Sequence, residues 1–231
     1  MIERISSGVP WLDEVIDGGF PKGRAILVEG NSGIGKSILA YHFTKHSLVS
    51  NEHALYFTTN TNSCNILNDA EELCWDLQII INKNLFTIIN IQDYFKEWRS
   101  HEIDSSFIDN YLQQIKNIIE TTKAKRVIFD PALPEIYSFN SKTTVEFYAK
   151  LINLLEEKKL EATSLIITLL KLLPIEDEMI KHHASGVLKM FFIENAGKIS
   201  RQLYINKMRN TNVPNKYFEF DIVKDYGLIL K

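Results

Sequence analysis

The chain is expected to fold as an α/β protein, with a mostly parallel twisted sheet, helices on both faces and antiparallel C-terminal strands. Three features predict this. Apolar strand-like runs alternate with stretches of helical spacing from about residue 25 to 170, the rhythm of a parallel sheet covered by helices. A glycine-rich octapeptide at 30–37 joins the first of these runs to the first long helix. Beyond residue 184 the rhythm changes to strands with no long helix between them.

Each element carries its own signal. Strands are expected at 25–29, 54–59, 85–90, 127–130 and 164–169, apolar runs of the kind that parallel strands buried on both faces require. Helices are expected between them at 36–50, 62–74, 107–121 and 143–158. The late strands are 186–194, 198–208, 217–223 and 228–230, with 195–197 as the turn of an antiparallel hairpin. No Pro/Gly/Ser-rich linker, repeat or low-complexity tract interrupts the chain, so 1–231 reads as a single nucleotide-binding domain.

The octapeptide Gly30-Asn31-Ser32-Gly33-Ile34-Gly35-Lys36-Ser37 is a complete phosphate-binding loop, placed in the strand-to-helix turn that such a loop needs. Gly30 and Gly35 let the backbone approach a phosphate without a Cβ in the way, and Gly33 loosens the turn between them. The amides from Asn31, Ser32, Gly33, Ile34 and Gly35 onward converge on one anion at the positive end of the helix dipole. Lys36 adds a full charge toward the β and γ phosphates, and Ser37 offers a hydroxyl to Mg²⁺. The metal also needs a carboxylate that holds its waters from the end of a buried strand, normally one beside the first. Asp130, closing Arg126-Val127-Ile128-Phe129-Asp130, fits that role. An Asp before Pro131 also suits a plain turn; the upstream loop is what makes it a metal candidate.

Composition narrows the field. A net charge of −3 and a pI near 6.1 give no global attraction to nucleic acid or to an anionic membrane. No apolar run reaches the roughly 18 residues that span a bilayer, and no leader precedes the first fold-like residues, so a cytoplasmic location with no membrane partner is expected. Cys64 and Cys74 make neither a metal site nor a disulfide framework and read as reduced filler on a helix.

The order of features resembles the KaiC and RadA branch of RecA-like ATPases. The likeness rests on Ser7-Gly8-Val9-Pro10-Trp11-Leu12-Asp13-Glu14, Gly18-Gly19-Phe20-Pro21-Lys22-Gly23, Ala70-Glu71 through Trp75-Asp76-Leu77, and Lys207-Met208-Arg209-Asn210-Thr211. In size the chain is similar to archaeal single-domain RadA paralogues and to one half of a double-domain KaiC protein. The resemblance implies a RecA-like P-loop core, ATP (or ADP) with Mg²⁺ as ligands, and a homo-oligomer, ring or filament. It further implies that Lys207 and Arg209, on one face of a strand by the two-residue period, act in trans as cationic fingers on a neighbour's γ-phosphate. A basic, solvated edge strand is the other reading of that pair.

The departures lie on the catalytic side. The family follows its second core strand with two glutamates, one of which polarises the attacking water; here those positions hold Asn60 and Thr61, neither able to accept a proton at neutral pH. Pro131 stands where Ser follows the strand-ending Asp, and Leu169 and Leu170 stand where a polar sensor is expected. Losing a general base typically removes about 10² to 10⁴ in rate. Affinity need not follow, so the expected protein is an ATP-Mg²⁺-binding regulatory or assembly module with weak or absent hydrolysis and an unidentified protein partner. The alternative is an active ATPase, a RadA paralogue in DNA recombination or repair; Asp69 or Glu71 could then serve as a relocated carboxylate.

DNA binding is possible but not favoured. The loop expected at 131–141 has no Lys or Arg, and that at 171–183 sets Lys171 and Lys181 against Glu176, Asp177 and Glu178. His182-His183 lacks a spaced third ligand for a metal. The aromatic and basic residues of 92–106 suit base stacking, partner docking or simple packing.

Overall fold

A computed structural model describes residues 2–59, 61–91, 105–131, 141–168 and 174–231. A short hairpin-like sheet of β1 (Arg4–Ile5) and β2 (Phe20–Pro21) flanks α1 (Pro10–Val15). Then come β3 (Ala25–Gly30), α2 (Lys36–Lys45), α3 (Ser47–Ser50), β4 (Ala54–Thr58), α4 (Ser63–Glu72), α5 (Gln78–Asn82) and β5 (Phe86–Asn90). They are followed by α6 (Ser105–Thr122), β6 (Arg126–Asp130), α7 (Ser141–Leu155), β7 (Thr163–Thr168) and α8 (Pro174–His183). The chain closes with β8 (Gly186–Asn195), β9 (Lys198–Met208), β10 (Phe218–Val223) and β11 (Gly227–Leu230).

The main sheet has nine strands in the order β11-β10-β9-β8-β3-β7-β6-β4-β5. Neighbours from β8 to β5 are parallel, and β9, β10 and β11 add antiparallel, as the change of rhythm predicts. Alternate residues feed two cores. Ile26, Val28, Tyr56, Ile128 and Leu188 face α2 and the N-terminal segment, while Leu27, Phe57, Phe129, Ile166 and Val187 face α6, α7 and Ile180 of α8. The first core therefore seats the helix that follows the glycine loop.

Four expectations need correction. The strand ending in Asp130 is not beside β3: β7 lies between β3 and β6. The segment 171–183 is not all loop, because α8 occupies Pro174–His183. Pro174 opens it, acids follow in its first turn, and Lys181, His182 and His183 sit in its last turn, each suited to its end of the helix dipole. The helix expected at 36–50 divides at His46 into α2 and α3. Finally, Cys74 is not helical. The Trp75 amide bonds to the Ala70 carbonyl and the Cys74 amide to that of Glu71, a Schellman closure that places Cys74 in the left-handed conformation at φ 58°. Both cysteines are exposed free thiols.

A buried cation ties the first core to the start of β6. Arg126, 1% exposed, donates to the Ser6 carbonyl at 2.8 Å and the Phe43 carbonyl at 3.3 Å, and pairs with Glu52 at 3.1 Å. Burial lowers its pKa and Glu52 opposes that, so the guanidinium is kept charged by the partners surrounding it. No described helix is long and apolar enough to cross a membrane.

Candidate functional site

The loop after β3 is shaped by what crowds it. A Cβ on Gly30 would lie 2.0 Å from the Met190 carbonyl oxygen of β8, so the strand can end only in glycine at this close approach. Asn31, Ser32 and Gly33 are exposed, Ile34 is buried as the loop's anchor, and Gly35 at φ 115° begins α2. Gly35 offers no side chain to the first-turn amides of α2, which leaves them to whatever occupies the loop.

Lys36 and Ser37 start α2 and look back across the loop. The Lys36 ammonium donates to the Gly30 carbonyl at 2.7 Å and the Asn31 carbonyl at 2.8 Å. Burial lowers its pKa, and the Asp130 carboxylate works in the opposite direction. Asp130 reaches this place from the end of β6, two strands away from β3, close enough for Lys36 and Ser37 to act on the charge of its carboxylate. Burial raises the Asp130 pKa, against hydrogen bonds from Tyr56 and Ser37 and the charge of Lys36. Lys36, Ser37 and Asp130 are thus brought together at one helix N-terminus, with Asn31 to Gly35 around them.

Glu29, the last side chain before the loop, points to the other face of the sheet. Lys181 of α8 lies 3.4 Å from it and also pairs with Asp177 and, at 3.6 Å, with Glu178. Burial raises the Glu29 pKa and Lys181 opposes it. Sequence reading set Lys181 among loop charges; on the helix its charge is consumed by three carboxylates.

Lys207 and Arg209 are elsewhere. Lys207 pairs with Val187 of β8, which is level with Leu27, three residues before Gly30, so both cations lie toward the opposite end of the sheet from the loop. Lys207 donates to the Lys181 and His182 carbonyls, each at 3.0 Å, and Arg209 to that of His182 at 3.4 Å. That end also holds a cavity of about 320 Å³ lined by Glu3, Lys22, Arg24, Glu156 and Glu161. These charges are paired, Arg24 with Glu156 at 3.1 Å, Lys22 with Glu3 at 2.8 Å and Glu161 with Lys125 at 2.8 Å.

Of the catalytic-side positions, Thr61 is half-buried and its amide donates to the Thr58 hydroxyl at 3.2 Å. Asn60, Leu169 and Leu170 lie outside the described residues, as do 92–104 of the aromatic and basic segment and 132–140 of the loop that lacks Lys and Arg. Asp69, on exposed α4 surface, accepts from the Tyr41 hydroxyl at 3.4 Å. Among the described residues no three His, Cys, Asp or Glu cluster as a metal site, and His182 and His183 stand without a third ligand. Sequence reading missed Tyr56, whose hydroxyl donates to Asp130 Oδ2 at 2.5 Å. Its signal was a polar-tipped ring inside an otherwise apolar strand, which a buried phenol enters only with a partner.

Known proteins resemble the chain over nearly its whole length. The family model described as "ATPase: KaiC" matches residues 5–231. A UPF0273 protein of Thermotoga maritima is 23% identical over 237 residues, covering all of this chain and 96% of its own. The circadian clock protein KaiC2 of Synechocystis is 28% identical over 230 residues, which covers 96% of this chain and 38% of that longer one. A crystal structure of a KaiC-like protein from Pyrococcus horikoshii OT3 superposes with a TM-score of 0.82 at 24% identity over the full length of both chains, so the RecA-like fold is shared.

Proposed function

This chain belongs to the KaiC ATPase family, and we propose that it binds ATP with Mg²⁺, hydrolyses it slowly or not at all, and serves as a nucleotide-dependent regulatory or assembly module. One observation carries this reading: Lys36, Ser37 and Asp130 meet at the uncapped start of α2, while positions 60 and 61, which follow β4, hold no acid. Ser37 and Asp130 supply only hard oxygen donors, the chemistry Mg²⁺ takes, so the donor set fits that ion. Bound there, Mg²⁺ would neutralise charge on the β and γ phosphates.

The residues of the chain supply grip. The amides of α2 and the loop wrap the phosphates, and Lys36 exchanges its two carbonyls for phosphate oxygens. Asn60 and Thr61 have no carboxylate to take a proton from an attacking water, so the barrier stays high while affinity is kept. Lys207 and Arg209 face away from the chain's own loop and would complete a neighbour's site in a ring or filament. Two features weigh against DNA: Lys181 is spent on Glu29, Asp177 and Glu178, and the net charge is negative.

Calorimetry with Mg²⁺ and either ATP or GTP tests the grip, with binding of at least one expected. Single-turnover hydrolysis with and without single-stranded DNA tests the rest. A rate above about 1 s⁻¹, within the ordinary enzyme range, contradicts the reading, and DNA-stimulated turnover selects recombination or repair instead.

A further inference from the structure

We propose that Tyr56 is a positioning residue for the metal-facing carboxylate: its phenol fixes Asp130 so that the free lone pairs of that group face the waters of the bound ion. This rests on the nucleotide and Mg²⁺ reading above and assigns a role to a side chain outside the glycine loop.

The placement follows from register. Thr58 of β4 pairs with Asp130 of β6, and Tyr56, two residues earlier, shares its face of the sheet. Tyr56 is therefore the diagonal neighbour of Asp130, a separation that an aromatic side chain can bridge. Its ring, 1% exposed, packs beside Tyr41 of α2 at 6.2 Å between centroids and edge-on to Phe86 of β5 at 6.4 Å. Both contacts hold the hydroxyl in a single direction. That hydroxyl meets Oδ2 at 2.5 Å, the short distance of a charge-assisted O–H···O bond. Ser37, at the start of α2, acts on the charge of the same carboxylate. A carboxylate has about four lone-pair directions; the phenol occupies one on Oδ2, and the others are left to the side where Lys36 and Ser37 act on the group.

Groups that orient a metal's carboxylates through hydrogen bonds typically change metal affinity by about 10- to 100-fold when removed. The test is a Mg²⁺ titration of binding of adenylyl imidodiphosphate, a non-hydrolysable ATP analogue, to the full chain, paired with the affinity of the same analogue in EDTA. Tyr56→Phe keeps the ring and its packing. It is expected to raise the Mg²⁺ concentration needed for half-maximal enhancement by about 10-fold and to leave the EDTA affinity within about threefold of wild type. Asp130→Asn removes the negative carboxylate, and adding Tyr56→Phe in that background is expected to change the Mg²⁺ dependence no further.

An unaltered Mg²⁺ dependence in Tyr56→Phe overturns the proposal, as does an equal loss in EDTA, which would assign Tyr56 to packing alone. A further shift in the Asp130→Asn background overturns it too, and this background serves equally if the single variant is too unstable to titrate. Wild-type protein that binds no nucleotide under any condition defeats the broader reading instead, so the two failures are told apart.

Discussion

Two lysines of this molecule each rest an ammonium on a pair of backbone carbonyls, yet their surroundings differ. Lys36 sits 2.7 and 2.8 Å from the Gly30 and Asn31 carbonyls of its own loop and is 6% exposed. Lys207 sits 3.0 Å from each of the Lys181 and His182 carbonyls, half-buried at the last turn of α8. The carbonyls under Lys36 belong to the glycine loop itself, where on the proposed reading its bonds pass to phosphate with little movement. Those under Lys207 are the negative end of a helix dipole, and its bonds there cap a helix. Similar contacts therefore leave one lysine inside the glycine loop of its own chain and hold the other at the end of a helix, where its proposed role is toward a neighbouring protomer.

The sharpest way to break this contrast is to remove the first lysine. Lys36→Met is expected to weaken ATP-Mg²⁺ binding by at least about 100-fold, since two charge-assisted hydrogen bonds at about 1.5–3 kcal/mol each would be lost. Calorimetry on a variant with an unchanged circular dichroism spectrum checks it. Affinity within threefold of wild type would mean that the glycine loop is not the phosphate site.

The helix carrying Lys36 is itself pinned by a neutral histidine, and acid should release it. The Leu228 amide donates to His42 Nε2 at 3.0 Å, which leaves Nδ1 to donate to the Gly8 carbonyl at 3.0 Å. Burial, aided by nearby Lys45, pushes the His42 pKa down to about 4, against 6.5 for a free imidazole. The folded value lies below the unfolded one, so the stabilisation is complete above pH 6.5 and is lost as pH falls toward 4. At 1.36 kcal/mol per pH unit it amounts to about 3 kcal/mol. Asp130 and Glu29, with raised values, push the other way with acid. The measurement is therefore the difference in unfolding free energy between wild type and His42→Gln across that window. A difference independent of pH would remove His42 as the pin.

The motifs that make this fold legible in the sequence turn out to be packed around that same histidine. A Cβ on Gly8 would lie 2.3 Å from the His42 carbonyl oxygen, and one on Gly227 would lie 2.2 Å from His42 Nε2 and 2.4 Å from the Trp75 ring. Trp75 stacks edge-on to His42 at 4.5 Å and donates to the Asp225 carbonyl, and Trp11 donates to that of Leu228. The 7–14 segment and the Trp75 segment are thus fittings for α2. The order of strands along the chain was readable because burial on both faces leaves uninterrupted apolar runs. Their order in space was not: β6 and β7 are both short strands with a three-residue apolar run, and nothing local says which lies beside β3. Helix α8 carries Pro174 at its start and Lys181, His182 and His183 in its last turn as sequence signals, but a short segment with three adjacent acids satisfies a solvated charged loop equally well. Tyr56 stayed hidden because its function depends on cross-strand register, which no single strand encodes.

The smallest expected effect tests the second lysine. Replacing Lys207 and Arg209 together by Ala removes donors from the last turn of α8, and cations at a helix C-terminus contribute about 0.3–1 kcal/mol each at exposed sites. The isolated chain should lose roughly 0.6–2 kcal/mol, a fall of a few degrees in melting temperature for a protein of this size. If these residues serve a neighbour, ATP-Mg²⁺ affinity measured below the assembly concentration should move less than threefold, while the nucleotide-dependent change in sedimentation coefficient disappears. A tenfold loss of affinity in the monomer would place the pair at the chain's own phosphates, against the register of β8 and β9. Intact nucleotide-dependent assembly would leave Lys207 as a helix cap alone, and the contrast with Lys36 would then be one between a ligand-binding lysine and a purely structural one.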